Sequence, residues 1–380
     1  MTQNRTSDAG SKPRFCVMGA GHGGMAMAAH LSLKGFNVTL YNRTEERLAL
    51  VRERGVIELL SPGLDNVESG EARIDRITTD AGEALHDADL VMIVVPAYGH
   101  AFLAQKCAPH LRDDHIVVLN PGRTGGALEF RHQLSECGCT TDLLLAETQT
   151  FIYASRVTQP GEVRIFAVKN NVPVAALPAY RTTEVLKALR VAYRQFVAGG
   201  SVLQTSLSNV ALIFHPGVLM MNAARVEDTH GEFQHYLAGI TPSVAEVLEV
   251  MDRERVALGE ALGIPIRSTR QWLYLAYDAA GADLYHAVQA NPAYEGIMAP
   301  PHLTHRYILE DVPMSLIPMI SLGQQLGVPT PIMSSVAHIC SAMLGQDFWS
   351  VGRTVENLGI AGLTVRQIRR LVMEGAPGEP

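Results

Sequence analysis

The sequence predicts an α/β fold in its first half and an all-α domain in its second half. Three observations carry this prediction: a glycine-rich turn that joins an apolar strand to a helix, several short apolar runs, and a loss of strand pattern after about residue 185. A chain of 380 residues is too long for one ordinary core. We therefore expect two domains, at 13–185 and 186–380.

The glycine-rich turn lies close to the start of the chain. An apolar strand at 14–18 is followed by "GAGHGG", an Ala- and Met-rich helical stretch and a second strand at 36–42. In this motif Gly19 allows a tight turn, Gly21 lets the backbone approach a pyrophosphate, and Gly24 packs helix on strand. The pattern predicts a Rossmann dinucleotide-binding domain. The expected cofactor contacts here are Gly19, Gly21, His22, Gly23 and Gly24.

Three further apolar runs, at 89–96, 115–122 and 141–148, are typical of parallel strands buried on both faces. Ligands collect at the carboxyl ends of such strands. Pro96 and Glu147 lie at these ends, so we expect them to contact the cofactor. The loop 120–126, which includes Thr124, could offer backbone N–H groups to the nicotinamide or to a substrate carboxylate, or it is an ordinary loop before a helix.

The end of the second strand predicts which dinucleotide binds. An NAD-specific site usually has an acidic residue here, about 20 residues beyond the glycines. This chain has Asn42, followed by Arg43 and Thr44, at the expected start of a helix. Arg43 can pair with a 2′-phosphate, and Thr44 offers a hydroxyl. We expect NADP(H) to be preferred, with NAD(H) possible; alternatively, Arg43 is a solvated surface residue.

Composition argues against several other functions. The net charge of −7 includes no basic excess, which speaks against extended nucleic-acid binding. Five cysteines without zinc-like spacing predict reduced thiols and no metal site, and the polar N-terminus contains no signal-like apolar stretch. A charge-free stretch between 195 and 224 contains several polar residues, so a buried helix is favoured over a membrane span. We expect a cytoplasmic protein that does not bind membranes.

The second half carries helical candidates separated by Gly-then-Pro stops, at 183–197, 203–224, 242–262, 313–327, 330–345 and 363–374. His215 lies inside the charge-free stretch, directly before Pro216, which should kink or break the helix at this point. A buried histidine of this kind is either a core residue bonded to a backbone carbonyl or a catalytic base oriented by a carboxylate. Asp311 and Arg306 are candidate partners, but sequence alone does not bring them to His215.

Several segments together resemble the opine dehydrogenases, over about residues 14–372. They are "GAGHGGMAMAAHLSLKG", "VVPAYGHA", "LNPGRTGGALEFR", "TSLSNV", "YLAGITPSV", "NPAYEGI", "RYILEDV" and "GLTVRQIR". The resemblance implies a substrate site between a Rossmann domain and a helical domain, with His215 and Asp311 as the catalytic pair. On this basis Arg306 is expected near the substrate. We further expect Asn209, Thr124 and Tyr294 to bind the substrate.

The implied reaction is the reductive condensation of an amino acid with a 2-oxo acid such as pyruvate, through an imine. We also expect a homodimer, because the helical domain has more apolar segments than its size requires. Two alternatives remain: a 2-oxo acid reductase of the ketopantoate or glycerol-phosphate type, with Lys169 or Lys187 as acid/base, and a dinucleotide-sensing protein without turnover.

Overall fold

The computed structural model describes residues 12–378. The strands in this part of the chain are β1 (Phe15–Met18), β2 (Val38–Tyr41), β3 (Val56–Leu60), β4 (Gly70–Arg73), β5 (Arg76–Thr78), β6 (Leu90–Ile93), β7 (Ile116–Leu119), β8 (Leu144–Thr148), β9 (Tyr153–Gln159), β10 (Glu162–Val168), β11 (Val172–Leu177) and β12 (Phe196–Ala198).

The α-helices are α1 (His22–Leu33), α2 (Ala49–Arg54), α3 (Ala81–Leu85), α4 (His100–Cys107), α5 (Gly126–Glu136), α6 (Thr182–Leu189), α7 (Val202–Leu207), α8 (Ala211–Met221), α9 (Ala223–Thr229), α10 (Pro242–Ala261), α11 (Thr269–Tyr277), α12 (Leu284–Gln289), α13 (Arg306–Leu309), α14 (Ile317–Leu326), α15 (Pro331–Leu344), α16 (Phe348–Val351) and α17 (Val365–Glu374). A π-helical turn at Val312–Leu316 joins α13 to α14.

The main sheet has the order β12-β11-β8-β7-β6-β1-β2-β5. Its strand pairs are parallel except β11–β8, which is antiparallel. The chain runs outward from β1 to β2 and β5 and then resumes on the other side of β1 with β6. This reversal creates the crevice in which open α/β sheets bind ligands. The predicted combination of an α/β nucleotide fold with an all-α domain is confirmed.

The nucleotide domain differs from the sequence expectation in two ways. A second sheet, of order β4-β3-β10-β9, was not predicted. In β10, half-buried charged residues alternate with buried apolar ones, and β9 is mostly exposed or half-buried, so neither strand forms a continuous apolar run. The main sheet also continues to Ala198, since β12 pairs with β11. The expected boundary at residue 185 therefore falls inside α6, and we place it after β12.

The expected helix break at His215 is wrong in position. Pro216 lies inside the continuous helix α8, and the interruption occurs before α8, at 208–210. There the Asn209 side-chain oxygen accepts a hydrogen bond from the Ala211 N–H (3.1 Å), which starts a new helix. Because Pro216 has no N–H, the Leu212 carbonyl one turn earlier receives no helical hydrogen bond from it.

The segment Val202–Met221 is long and apolar enough to cross a membrane by composition, but 72% of its 18-residue window is buried inside the protein. This burial is typical of a core helix. The apolar core on one face of the main sheet continues without interruption into the helical domain, through residues such as Val202, Leu203 and Leu207 of α7. The shared core holds the helical domain against the carboxyl end of the sheet.

Candidate active site

The glycine turn between β1 and α1 has the geometry that a dinucleotide requires. Gly19 has φ +122°, and a Cβ added there would lie 2.3 Å from the Val94 carbonyl oxygen. A Cβ on Gly24 would lie 1.7 Å from the Gly19 carbonyl oxygen, so this glycine permits α1 to pack on the turn. A Cβ on Gly21 would meet no atom within 4 Å, so the backbone faces open space, as binding a pyrophosphate requires.

The residues directly after β2 support the glycine turn, and Asn42 stands where an NAD-specific site usually has an acidic residue. The Asn42 side chain accepts a hydrogen bond from Ala20 N (3.1 Å) and donates one to the Thr44 carbonyl (2.9 Å). Asn42 therefore braces the glycine turn, and Arg43, which is exposed, lies with its guanidinium 5.5 Å from the Phe102 ring centroid. These residues fit either dinucleotide, and the free guanidinium of Arg43 suits an additional phosphate.

The small sheet contacts the same turn. His22, the first residue of α1, accepts a hydrogen bond through Nδ1 from the Val157 N–H of β9 (2.9 Å). Burial lowers the pKa of His22, and the positive charges of Arg156 and Arg47 lower it further. The entrance to α1 is thus surrounded by cations, which favour a bound anion.

The structure brings His215 and Asp311 together, although 96 positions separate them in the chain. The His215 Nδ1 lies 2.7 Å from Asp311 Oδ2, and their side chains are 18% and 0% exposed. Because a carboxylate accepts, Nδ1 carries the proton and Nε2 is the nitrogen available to a substrate. Tyr307 stacks on the imidazole, with ring centroids 3.9 Å apart and planes 14° apart, and fixes its orientation.

The charge states of this pair follow from burial and from one arginine. Burial raises the pKa of Asp311, but Arg123 and then His215 outweigh it and hold that pKa below its usual range. Burial lowers the pKa of His215, and Asp311 offsets only part of this effect. The pair at neutral pH is therefore a neutral imidazole hydrogen-bonded to a carboxylate, a base ready to accept a proton.

Arg123 is the functional residue that the sequence analysis missed. Its guanidinium lies 3.1 Å from Asp311 and 3.5 Å from Glu310, and its side chain is only 11% exposed. Arg306, which is expected beside the substrate, pairs with Glu310 (2.7 Å), and its side chain is 58% exposed. The sequence feature that could have indicated Arg123 is its position inside the glycine-flanked loop "NPGRTGG". In the structure Arg123 adopts φ +59°.

Arg353 holds this loop from the helical side. It is 1% exposed, pairs with Glu129 of α5 (2.6 Å), and donates to the Thr124 carbonyl (2.7 Å) and the Ala97 carbonyl (3.3 Å). One side chain therefore ties together the loops after β6 and β7. The Thr124 hydroxyl is buried and has no hydrogen-bond partner among the described residues, so it can serve a ligand at the loop.

Glu147, expected to contact the cofactor, lies beneath the site instead. It is fully buried, and its carboxylate accepts hydrogen bonds from Ala127 N (2.8 Å) and from the hydroxyls of Thr205 (2.6 Å) and Ser206 (2.9 Å). These bonds join α5 and α7 below the loop 120–126. Pro96, by contrast, is exposed at the carboxyl end of β6, where a cofactor contact was expected.

The two remaining expected substrate residues lie around the pair. Asn209 donates a hydrogen bond to Ser315 Oγ (3.0 Å), which in turn lies 3.5 Å from Asp311 Oδ1. Asn209 thus supports Asp311 through one intermediate residue. Tyr294 is buried and stacks on Tyr236 at 4.1 Å, within an aromatic cluster that also reaches Tyr307 through His235.

Other chemistries find less support in the described part of the chain. No group of three or more His, Cys, Asp or Glu that could hold a metal ion occurs within residues 12–378. Neither Lys169 nor Lys187 makes a hydrogen bond or ion pair with His215 or Asp311 in this part of the chain. Among these three candidates for an acid/base, His215 is the one that contacts Asp311.

Comparison with known proteins agrees with this geometry. The model of the NAD/NADP octopine/nopaline dehydrogenase α-helical domain matches residues 198–344, and that of ketopantoate reductase PanE/ApbA matches residues 15–140. An opine dehydrogenase from Arthrobacter sp. (strain 1C) is 40% identical over 358 residues, covering 94% of this chain and 98% of the relative. The chain belongs to the opine dehydrogenase family.

More distant members share the whole architecture. Octopine dehydrogenase from Mizuhopecten yessoensis is 25% identical, covering 84% of this chain and 86% of that protein. A structure of octopine dehydrogenase with NADH and L-arginine superposes with a TM-score of 0.80 at 20% identity, over 97% of this chain and 100% of that one. As an opine dehydrogenase, the protein is an NAD(P)-dependent oxidoreductase, and the residues that match the ketopantoate reductase model, 15–140, lie in its nucleotide domain.

Proposed function

We propose that the protein condenses the amino group of an amino acid with a pyruvate-like 2-oxo acid and reduces the resulting imine to a secondary amine dicarboxylate. The observation that carries this proposal is the buried His215–Asp311 pair, which the helical domain presents beside the loop 120–126 of the nucleotide domain. Solved octopine dehydrogenase complexes with NADH and either L-arginine or pyruvate support the same two substrate classes.

The neutral imidazole has two proton-transfer tasks in this reaction. An amino acid arrives as an ammonium ion, and His215 Nε2 accepts one proton from it, so that the free amine can attack the carbonyl carbon. Asp311 stabilises the imidazolium formed. The imidazolium then returns the proton to the hydroxyl of the addition product, which leaves as water and yields the protonated imine. The bound nicotinamide supplies the hydride that completes the reduction.

The cofactor would lie on the glycine turn, with its pyrophosphate over Gly21 and the start of α1. We propose that NADPH is preferred over NADH, because the residue after β2 is Asn42 rather than an acid and Arg43 is free to pair with a 2′-phosphate. A solved yersinopine dehydrogenase with bound NADP+, at a TM-score of 0.73 and 16% identity, is consistent with a fold that accepts this dinucleotide.

The assay that tests the reaction follows absorbance of the reduced nicotinamide with pyruvate, with an amino acid, and with both. The proposal requires oxidation only when both are present, together with a secondary amine product in the mass spectrum. Oxidation by the oxo acid alone would favour a ketoacid reductase. Binding of NADPH without turnover across a panel of amino acids with pyruvate or glyoxylate would favour a sensing protein.

We further infer a cytoplasmic homodimer. Support comes from the free cysteines and from exposed apolar side chains in the helical domain, including Tyr274 and Leu275 on α11. Light scattering at micromolar protein should then give about twice the 41.2 kDa chain mass. A mass equal to one chain would refute the dimer.

A further inference from the structure

The cations beside the catalytic pair are already neutralised by protein carboxylates. Arg123 contacts Asp311 and Glu310, and Arg306 contacts Glu310, so two positive and two negative charges lie together. The opine product contributes two more carboxylates to the cleft. A substrate carboxylate entering a neutral cluster needs a further positive charge to replace its lost hydration.

Lys169 supplies a charge at the right place. It follows β10, and its backbone N–H donates to the Ile152 carbonyl (2.9 Å), while its ammonium donates to Thr150 Oγ1 (2.5 Å). Both partners belong to the segment 149–152, directly after β8. These contacts hold the ammonium at the carboxyl edge of the sheet, where the substrate and cofactor must meet.

The neighbours of this segment locate Lys169 between the two halves of the site. Gln149 donates to the Ser208 carbonyl (3.1 Å) at the interruption before α8, next to Asn209. On the other side of Thr150, the Phe151 ring lies 2.9 Å from where a Gly23 Cβ would be, so it touches the glycine turn. Lys169 is therefore flanked by the cofactor turn on one side and by the chain that leads to His215 on the other.

Electrostatics agree with a position in the cleft. Lys169 retains exposed surface, yet burial by the surrounding protein lowers its pKa to about 8, and the positive charge of Arg123 lowers it further. A lysine whose charge is disfavoured by the surrounding protein is stabilised strongly by a bound anion. Within the described chain, no carboxylate pairs with this ammonium.

The reaction chemistry indicates which of the two substrate carboxylates would lie near Lys169. The carbon that accepts the hydride is the former carbonyl carbon of the 2-oxo acid, so this part of the substrate must lie against the nucleotide domain. We propose, resting on the proposed function, that Lys169 together with Thr150 binds the carboxylate of the 2-oxo acid. The amino acid portion then extends toward the helical domain.

The test compares Lys169→Met and Lys169→Arg with Lys187→Met, a control on α6. Pyruvate binding to the enzyme saturated with NADP+ is measured by calorimetry, which requires no turnover. A lost charge-assisted hydrogen bond should weaken pyruvate binding by about 10- to 150-fold in Lys169→Met, with partial recovery in Lys169→Arg and no change in Lys187→Met. Pyruvate affinity within about twofold of wild type in Lys169→Met overturns the proposal.

Kinetics separate the possible sources of an effect. With turnover, Lys169→Met should raise KM for pyruvate by a similar factor, while KM for the amino acid and Kd for NADPH stay near wild type. A loss confined to NADPH binding would assign Lys169 to the cofactor, and a loss confined to the amino acid would assign it to the other substrate; either result refutes the proposal.

In wild type, KM for pyruvate should rise above about pH 8, as Lys169 loses its charge, and Lys169→Arg should remove this rise. If no substrate pair is turned over, the calorimetry still decides the role of Lys169.

Discussion

Replacing His215 with asparagine should abolish most turnover and leave the fold and cofactor binding intact. The imidazole is the only group hydrogen-bonded to Asp311 Oδ2 among the described residues, and its Nε2 is the free base of the site. General acid–base groups contribute about 10²–10⁴-fold, which corresponds to roughly 3–5 kcal/mol of transition-state stabilisation. We expect kcat to fall by this factor.

The structure also limits the cost in stability. Without the imidazole, Asp311 still faces Arg123 at 3.1 Å and Ser315 at 3.5 Å, so its buried charge is not left uncompensated. The lost hydrogen bond to a charged group is worth about 1.5–3 kcal/mol at most. His215→Asn should therefore remain folded, and its Kd for NADPH should match wild type, because the glycine turn lies in the other domain.

The assay combines steady-state kinetics, NADPH titration and thermal unfolding, with His338→Asn on α15 as the control. In wild type, kcat/KM should fall on the acidic side with a midpoint below pH 6.5, because burial lowers the pKa of the His215 that must be neutral to accept a proton. His215→Asn should lose this limb. Turnover within tenfold of wild type in a folded variant would refute the catalytic role.

Three further predictions concern Asp311, Arg43 and His30. Asp311→Asn should lower kcat by about 10²–10⁴-fold, because an amide can donate to Nδ1 and so favour the wrong tautomer, with little change in NADPH affinity. Arg43→Ala should weaken NADPH by about 10- to 150-fold and NADH hardly at all; equal losses would contradict a 2′-phosphate contact. Burial lowers the pKa of His30 to about 4. The contribution of neutral His30 to the free energy of unfolding is therefore complete above pH 6.5 and is lost as the pH falls to about 4. On acidification, the free energy of unfolding measured with urea should therefore fall less in His30→Gln than in wild type, and the two losses should differ by up to about 3 kcal/mol. Equal losses in the two proteins would contradict this prediction.

Local patterns in the chain were sufficient for the nucleotide fold. The roles of Gly19, Gly21 and Gly24 depend on neighbours within one strand, one turn and one helix, so spacing alone predicts them. The buried parallel strands can likewise be predicted from the sequence, because they are continuous apolar runs. The small sheet was missed because its strands expose one face, and their polar residues hide the apolar alternation.

The site was predicted unevenly, for a physical reason. The pairing of His215 with Asp311 came from family resemblance and is present at 2.7 Å, whereas residue type alone left it open. Arg306 was expected from the sequence as the arginine near the substrate, but sequence alone does not say which guanidinium is buried beside Asp311. Arg306 lies on a short helix and pairs with Glu310 at the rim, while Arg123 adopts a left-handed conformation that directs it at Asp311.

The amino-acid sequence was sufficient to predict the glycine turn, the absence of an acidic residue directly after β2 and the presence of a histidine in an apolar helix. Those features depend on contacts among near neighbours in the chain. The packed structure was needed to show that Glu147 lies beneath the loop 120–126, that Arg353 ties two loops together, and that the Lys169 ammonium bonds to Thr150. Such assignments depend on which distant segments the shared core brings together, because burial and charge compensation are properties of the packed chain.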